Sequence, residues 1–100
     1  MNVRGGKMRI RESAVERRLA SGVKARGGLC WKFVSPGMSG VPDRIVVTRR
    51  GEVWFVELKA DDGRLSERQA MVLRQLRDRG APCTVLIGRE DVDRFLEMIE

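Results

Sequence analysis

Apolar residues recur at helical spacing in three segments of the chain. Near its start, Val15, Leu19 and Val23 stand four positions apart, which predicts a helix with one apolar stripe. Two later segments show similar spacing and end near a glycine or the chain terminus. The predicted helices are 12–26, 66–79 and 91–99.

Four further segments have the alternating or β-branched apolar runs that are typical of strands. They are 29–34, 45–48, 53–58 and 83–87. Only the short polar stretch from Arg49 to Glu52 separates the second from the third, which predicts a β-hairpin. The order of elements is therefore α, β, β, β, α, β, α, and the fold class is α/β.

One hundred residues is the size of one small domain, which we expect over residues 9–100. Residues 1–8 contain Arg4 and Lys7 without periodicity, so they are expected to form a flexible basic arm. The apolar runs fall far short of the roughly 18 residues of a membrane span, and no membrane association is expected.

The charge balance points to a polyanionic partner. Twenty Lys and Arg against 14 Asp and Glu give a net charge of +6. Residues 1–34 hold nine of the basic residues and only two acids. Nucleic acid is the expected partner, although charge alone does not separate DNA from RNA.

The absence of some residue types excludes whole classes of chemistry. The chain has no His, which excludes Ser/His/Asp and Cys/His nucleophiles. It also has no Tyr, which excludes tyrosine nucleophiles. Cys30 and Cys83 lie too far apart for a CxxC motif and are expected to be reduced core residues of a cytoplasmic protein. Catalysis would therefore depend on carboxylates, lysines and an oxygen-preferring metal such as Mg²⁺ or Mn²⁺.

Three charged residues stand at one end of the predicted hairpin. Asp43 begins one strand, and Glu57 and Lys59 end the other on the same face, with Leu58 pointing into the core. A two-residue turn would pair Asp43 with Leu58 and aim it away from Glu57. A three-residue loop over 50–52 would pair Asp43 with Lys59, so we predict that loop or an equivalent bulge.

These three groups are compatible with a metal site for phosphodiester hydrolysis. Two neighbouring carboxylates are costly to desolvate unless a divalent cation neutralises them. Lys59 would then position the attacking water or offset developing charge. The alternative is an ordinary cross-strand ion pair of Glu57 with Lys59 while Asp43 caps a turn, and on spacing alone that arrangement is the more common one.

Several motifs in order add a family resemblance. GVPDRIVV followed by FVELK, with FVSPG before and SxxQ after, resembles the PD-(D/E)XK nuclease superfamily and, more narrowly, the stand-alone VRR-NUC domains of phages and bacteria. The resemblance covers about residues 9–88. It implies a restriction-endonuclease-like core with a mixed central sheet flanked by helices. It also implies Mg²⁺ or Mn²⁺ dependence and cleavage of branched DNA such as Holliday junctions by a homodimer.

The resemblance also implies roles for individual residues. Asp43 and Glu57 would bind the metal together with the main-chain carbonyl of Leu58, and Lys59 would be the catalytic lysine. An acid from the first helix would complete the site, and of the two candidates, Glu12 and Glu16, we prefer Glu16. The alternative for Glu16 is a capping box with Ser13 at the start of that helix.

Gln69 matches the glutamine that the family carries on its second helix, where it would help to hold water or phosphate. A capping box formed by Ser66 and Gln69 is an equally good explanation. The residues expected to contact the DNA backbone through side chains or loop amides are Lys32, Gly37, Ser39, Arg44 and Arg64.

Trp31 and Trp54 could stack on bases, but both lie within strand patterns and are predicted to be core residues. The apolar residues Val92, Phe95 and Ile99 either close the monomer or contribute to a dimer contact.

Two other functions stay open: a noncatalytic basic module that binds nucleic acid, and a nuclease subunit that acts only with a partner. The expected location is the cytoplasm of a bacterial cell or phage-infected host.

Overall fold

The computed structural model describes residues 11–100, and the expected arm over 1–8 lies outside this range. Within it the elements follow the predicted order. They are α1 (Glu12–Ala25), β1 (Leu29–Lys32), β2 (Arg44–Val47), β3 (Val53–Lys59), α2 (Glu67–Asp78), β4 (Cys83–Ile87) and α3 (Gly88–Met98). No helix in residues 11–100 is long and apolar enough to cross a membrane.

The four strands form one mixed sheet in the order β1-β2-β3-β4. The first two pairings are antiparallel, whereas β3 and β4 are parallel and are connected through α2. A parallel pair requires such a crossover because its strands run in the same direction. This confirms the predicted α/β fold with a mixed sheet and flanking helices.

One side of the sheet, the core face, packs against α1 and α3. Its buried side chains are Val46, Val56, Leu58 and Leu86. The helices add Val15, Leu19 and Val23 from α1, and Val92, Phe95 and Leu96 from α3, followed by Ile99. The C-terminal apolar residues therefore close the monomer.

The other side, here called the open face, carries Trp31, Ile45, Phe55, Glu57 and Lys59. α2 packs near its β4 end, where its own Val72 and Leu73 are buried. On β1 and at the hairpin-loop end of β3, the open face holds apolar residues that are exposed. These are Leu29, Trp31 and Val53.

The prediction that both tryptophans are core residues is right for Trp54 and wrong for Trp31. Trp54 lies on the core face and packs against the core cluster, with its ring 5.5 Å from that of Phe95. The Trp31 side of edge strand β1 has no helix over it in residues 11–100, and Trp31 is 58% exposed. Alternation within a strand identifies two faces but does not show which one the helices cover.

The hairpin loop has three residues, but the predicted register is wrong. The loop is Arg49 to Gly51, and Arg44 pairs with Val56, which sets Asp43 opposite Glu57 rather than Lys59. The Thr48 hydroxyl fixes the loop by accepting bonds from the amides of Arg50 and Glu52, at 3.3 and 3.1 Å. Gly51 adopts a φ of 88°, the left-handed conformation that suits glycine in such loops.

Two element boundaries also differ from the predictions. α3 begins at Gly88, three residues early, because Asp91 accepts a 2.8 Å bond from the amide of Ile87 and so supports the helix start. β1 ends at Lys32, before the exposed Val34. The sheet pairing nevertheless continues for one bond, from the amide of Phe33 to the carbonyl of Asp43 at 2.9 Å.

The two cysteines are partly buried and free, as expected. Cys30 lies on edge strand β1 on the core face, and Cys83 lies on the opposite edge strand, β4, on the open face. This separation excludes a bond between them in the folded chain. Burial raises the pKa of the Cys30 thiol, which makes it a poor nucleophile at neutral pH.

Candidate active site

The hairpin brings two carboxylates together at one end of the open face. The register sets Asp43 opposite Glu57, and directly opposite residues of an antiparallel pair share a face. Asp43 Oδ2 accepts a 2.9 Å bond from the amide of Leu58. The main chain of β3 therefore holds the Asp43 side chain beside Glu57.

Glu57 is almost fully buried, with 1% of its surface exposed. Its Oε2 atom lies 3.2 Å from Lys59 Nζ and accepts a 3.0 Å bond from Gln69 Nε2. Its other oxygen, Oε1, is buried and has no hydrogen-bond partner among residues 11–100. A buried, unpartnered carboxylate oxygen is costly, so it calls for a partner from outside the chain, such as an ion or water, or for a catalytic role.

The surroundings of Glu57 raise its pKa to about 7, chiefly because burial disfavours the charged form. The charge of Asp43 raises the pKa further, and Lys59 opposes both effects. Lys59 is itself only 13% exposed, so its charge acts on Glu57 with little screening by water. In the absence of a cation, Glu57 therefore titrates near neutral pH.

Gln69 combines the two roles that the sequence presented as alternatives. Its amide nitrogen donates to Ser66 Oγ at 3.1 Å, and its Oε1 accepts from the Ser66 amide at 3.0 Å, which completes a capping box at the start of α2. Because Oε1 faces the helix start, Nε2 points to Glu57. The cap thus orients the side-chain amide in the site.

The two acids of α1 have different surroundings. Glu16 Oε2 accepts a 2.9 Å bond from Arg44 Nε, and Arg44 Nη1 also donates to the carbonyl of Cys30 at 3.3 Å. Glu12 is exposed, and its charge is among those that raise the pKa of Glu57. The capping box of Ser13 with Glu16 does not form, since the N-cap of α1 is Arg11, two residues before Ser13, and it has no side-chain cap.

The loop from Ser35 to Pro42 is attached to the first turn of α2. Arg68 Nε donates to the carbonyl of Ser39 at 3.4 Å, and a Cβ on Gly40 would lie 2.6 Å from Arg68 Cγ. Sequence reasoning missed Arg68, although its position next to Gln69 was an available signal. The loop residues Gly37 and Ser39 are exposed near this contact.

The other residues predicted to contact DNA differ in exposure and in the face of the sheet to which they belong. Lys32 and Arg64 are exposed, whereas the side chain of Arg44 is 13% exposed and bonded to Glu16. Lys32 pairs with Arg44 and so belongs to the core-face side of β1, away from Glu57. The expected basic surface is therefore split, and Arg44 is directed inward.

The donor set suits a hard cation, although it is small. In residues 11–100 no three Cys, Asp or Glu side chains stand close enough together to form a metal cluster. Asp43 and Glu57 supply two carboxylates, including the unpartnered Oε1. Mg²⁺ is commonly held by one or two carboxylates with water completing its shell, so the residues present fit such an ion.

Together, the fold and site define a class. An aspartate that enters one strand, a Glu-x-Lys segment that ends the next and a glutamine on the following helix form the pattern of the PD-(D/E)XK superfamily, which the chain resembles.

The chain belongs to the VRR-NUC domain family, whose sequence model matches residues 3–90. A solved structure described as a VRR_NUC domain superposes with a TM-score of 0.81 at 34% identity, covering 89% of this chain and 97% of that one. The chain is also 53% identical over 51 residues to "Putative nuclease p44" of Acyrthosiphon pisum secondary endosymbiont phage 1. That match spans 51% of this chain and 55% of the phage protein, about half of the curated relative's length. Family membership implies, in general terms, dependence on a divalent metal.

Proposed function

We propose that this protein is a metal-dependent endonuclease that hydrolyses phosphodiester bonds in DNA, with a preference for branched substrates such as Holliday junctions. The observation that carries the proposal is the state of Glu57. It is a buried carboxylate with one oxygen held by Lys59 and Gln69 and the other without a partner, beside the carboxylate of Asp43. An ordinary structural ion pair does not need the second oxygen to be left unsatisfied.

Each residue has a distinct task in this proposal. Asp43, Glu57 Oε1 and the main-chain carbonyl of Leu58 would hold Mg²⁺ or Mn²⁺. When bound, the cation would stabilise the negative charge that develops on the scissile phosphate. Lys59, held 3.2 Å from Glu57 Oε2, positions the attacking water or offsets the charge on the phosphate. Gln69 holds Oε2, which leaves Oε1 available to a cation.

We further propose that Glu12, rather than Glu16, is the acid supplied by α1. Glu16 is already bound by Arg44, and releasing it would leave a partly buried guanidinium without its partner. The charge of Glu12 acts on Glu57, and within residues 11–100 no hydrogen bond or ion pair holds the Glu12 side chain. Arg44 then serves to attach α1 to the sheet.

DNA would approach across the open face. On this face, Arg64 and the exposed loop amides of Gly37 and Ser39 would contact phosphates, which fix orientation without reading sequence. Lys32 lies on the other side of edge strand β1, so it would contact only DNA that passes around that edge. Cleavage of both symmetric strands of a four-way junction requires two sites, which a homodimer would provide. We also propose that the protein works in the cytoplasm of a bacterial or phage-infected cell, where thiols such as those of Cys30 and Cys83 stay reduced.

The test compares cleavage of a labelled four-way junction, a flap and a linear duplex, each with EDTA, Mg²⁺ or Mn²⁺. Asp43→Asn and Lys59→Ala should each lower the cleavage rate by at least about 100-fold. Asp43→Asn keeps an oxygen that can accept the bond from the Leu58 amide, so the fold is preserved. Asp78→Asn and Lys24→Ala, at exposed positions on α2 and α1, are matched controls and should cut normally.

Cleavage that persists at the wild-type rate in either folded site variant would refute the proposal. Salt-sensitive binding without cleavage under any metal would instead indicate a noncatalytic DNA-binding module or a partner-dependent subunit. Equal cutting of all three substrates would refute the preference for branched DNA while leaving the nuclease intact.

A further inference from the structure

We propose that Trp31 is a stacking platform for an unpaired nucleobase of the substrate, an inference that rests on the proposed nuclease function. Trp31 is 58% exposed in the structure of residues 11–100. Leu29, two residues earlier on the same face, is also exposed, and a contiguous exposed apolar patch is a common mark of a binding surface. No part of the nuclease proposal uses it.

The aromatic residues of the chain are divided between the two faces of the sheet. Trp54 and Phe95 pack edge to face in the core. Trp31, Phe33 and Phe55 belong to the open face, where the rings of Phe33 and Phe55 lie 5.9 Å apart and tilted by 48°. The open face therefore carries a small aromatic surface as well as the two carboxylates.

Trp31 lies close to the proposed catalytic groups along the sheet. The amide of Phe33 bonds to the carbonyl of Asp43, so Phe33 lies beside Asp43 across the β1–β2 pairing. Trp31 stands two residues before Phe33 on the same face, which is a displacement of about 7 Å along the strand. A nucleotide with its phosphate near Asp43 can therefore place its own base, or the neighbouring one, over this aromatic surface.

The chemistry favours an unpaired base. Exposed aromatic rings beside cationic groups are how many proteins bind single-stranded nucleic acid, because every base has a flat π-face that can stack. In a continuous duplex these faces are covered by neighbouring bases, so Trp31 would select a strand that is already open. Lys59 lies on the same face as Trp31 and can offset the charge of the phosphates of such a strand.

A second copy of the chain is a poorer occupant for this surface. Leu29 and Val53 are also exposed on the open face, which could suggest an apolar contact between copies. However, a partner seated over Trp31 and Phe33 would also crowd Asp43, where the scissile phosphate must bind in the proposed function. We therefore assign this surface to the substrate.

The first test measures binding without cleavage, in EDTA, with an oligothymidylate. Tryptophan fluorescence of the wild type should be quenched on titration, and Trp31→Phe, which keeps only the packed Trp54, should lose that quenching. Trp31→Ala should weaken binding at least about fivefold, and Trp31→Phe should retain most of the affinity. Met98→Ala removes a similarly exposed apolar group, 57% accessible on α3, and should change nothing.

The second test compares cleavage of a flap that has a single-stranded arm with cleavage of a fully paired duplex. Trp31→Ala should raise KM on the flap at least about fivefold and leave kcat and the duplex rate unchanged. Loss of quenching in Trp31→Phe by a protein that cuts nothing would support the platform and refute the nuclease. Normal cleavage by wild type with unchanged oligothymidylate binding in Trp31→Ala would refute the platform alone.

Two other results would also overturn the inference. If acrylamide fails to quench Trp31 in the isolated protein, the ring is covered and cannot stack on a base. If sedimentation reveals a dimer that both Trp31→Ala and Leu29→Ala dissociate, the surface is used for self-association.

Discussion

The surroundings of Glu57 act on its charged form in opposite directions. Lys59 and Gln69 bind one of its oxygens, while burial and the nearby Asp43 disfavour its charge. Without a cation, the fold therefore favours the protonated acid. A divalent ion would reverse that preference, because it binds the carboxylate.

The raised pKa of Glu57 makes stability depend on pH in a defined direction. In the unfolded chain this acid ionises near its ordinary value of 4.5, whereas in the folded chain it ionises near 7. Between these values the folded state holds a proton that the unfolded state has lost, so stability falls as pH rises. Glu57→Gln, which is neutral at every pH, lacks this loss.

We expect the free energy of unfolding of wild type, relative to Glu57→Gln, to fall by up to about 3 kcal/mol between pH 4.5 and 7. Urea denaturation in EDTA at a series of pH values measures this difference in the free energy of unfolding. The titration of the other carboxylates is common to both proteins and therefore drops out of the comparison. A difference between the two proteins that stays constant across this range would contradict the raised pKa.

The sequence predicted the surroundings of some site residues but not of others. The side chains of Asp43, Glu57 and Lys59 were predicted to share one face, and the open face brings them together. The environment of Glu16 was not predictable, since its partner Arg44 stands 28 positions away on another element. Apolar residues at helical spacing identify the side of a helix that packs on the core. They do not reveal which charged residue of the helix another element will bind.

At the scale of elements, the hairpin illustrates the limit of register prediction. The expected three-residue loop was placed one residue too late because the Thr48 hydroxyl, which caps the loop, gave no signal in the pattern. The error shifted the partner of Asp43 by two residues, from Lys59 to Glu57. An even shift preserves the face of a side chain, so the predicted grouping of charges survived.

The loop before β2 depends on the conformation of one glycine. Gly40 has a φ of 84°, and a Cβ there would meet both the side chain and the main chain of Arg68. Gly40→Ala should therefore lower the free energy of unfolding by about 1–3 kcal/mol through backbone strain and crowding of α2. Gly37→Ala is the control within the same loop, because a Cβ there has no described atom within 4 Å.

Thermal and urea denaturation of the two alanine variants distinguish these effects. Gly37→Ala should remain within about 0.5 kcal/mol of wild type. Equal stability of the two variants would mean that the loop does not need the close approach to α2 that Gly40 permits.

At the scale of the whole molecule, positive charge is distributed between surface and interior. Exposed cations such as Lys32 and Arg64 can release counterions from DNA, whereas Arg44 is directed inward to Glu16. The net charge of +6 alone cannot show this difference. A count of basic residues therefore overstates the number available to phosphates.

This distinction predicts opposite behaviour for two arginine variants. Arg64→Ala should reduce the slope of log affinity for duplex DNA against log salt by about 1 with no change in stability. Arg44→Ala should keep the slope and lose at least about 1 kcal/mol of stability, because it leaves the Glu16 carboxylate without its partner. Binding titrations in EDTA at several salt concentrations, with denaturation of each variant, measure both quantities.

The proposed chemistry is concentrated in one continuous stretch of the chain, from Asp43 through β3 to Gln69. The helices α1 and α3 lie outside this stretch and meet it through the apolar side chains of Val46, Trp54, Val56 and Leu58 and through the bond from Arg44 to Glu16. A single recombination tract could therefore transfer all of the reacting groups except the acid of α1 between related genes, provided that the apolar side chains still fit the recipient's core. The stretch is thus a unit of inheritance as well as a unit of structure, and α3 and the rest of α1 can diverge around it.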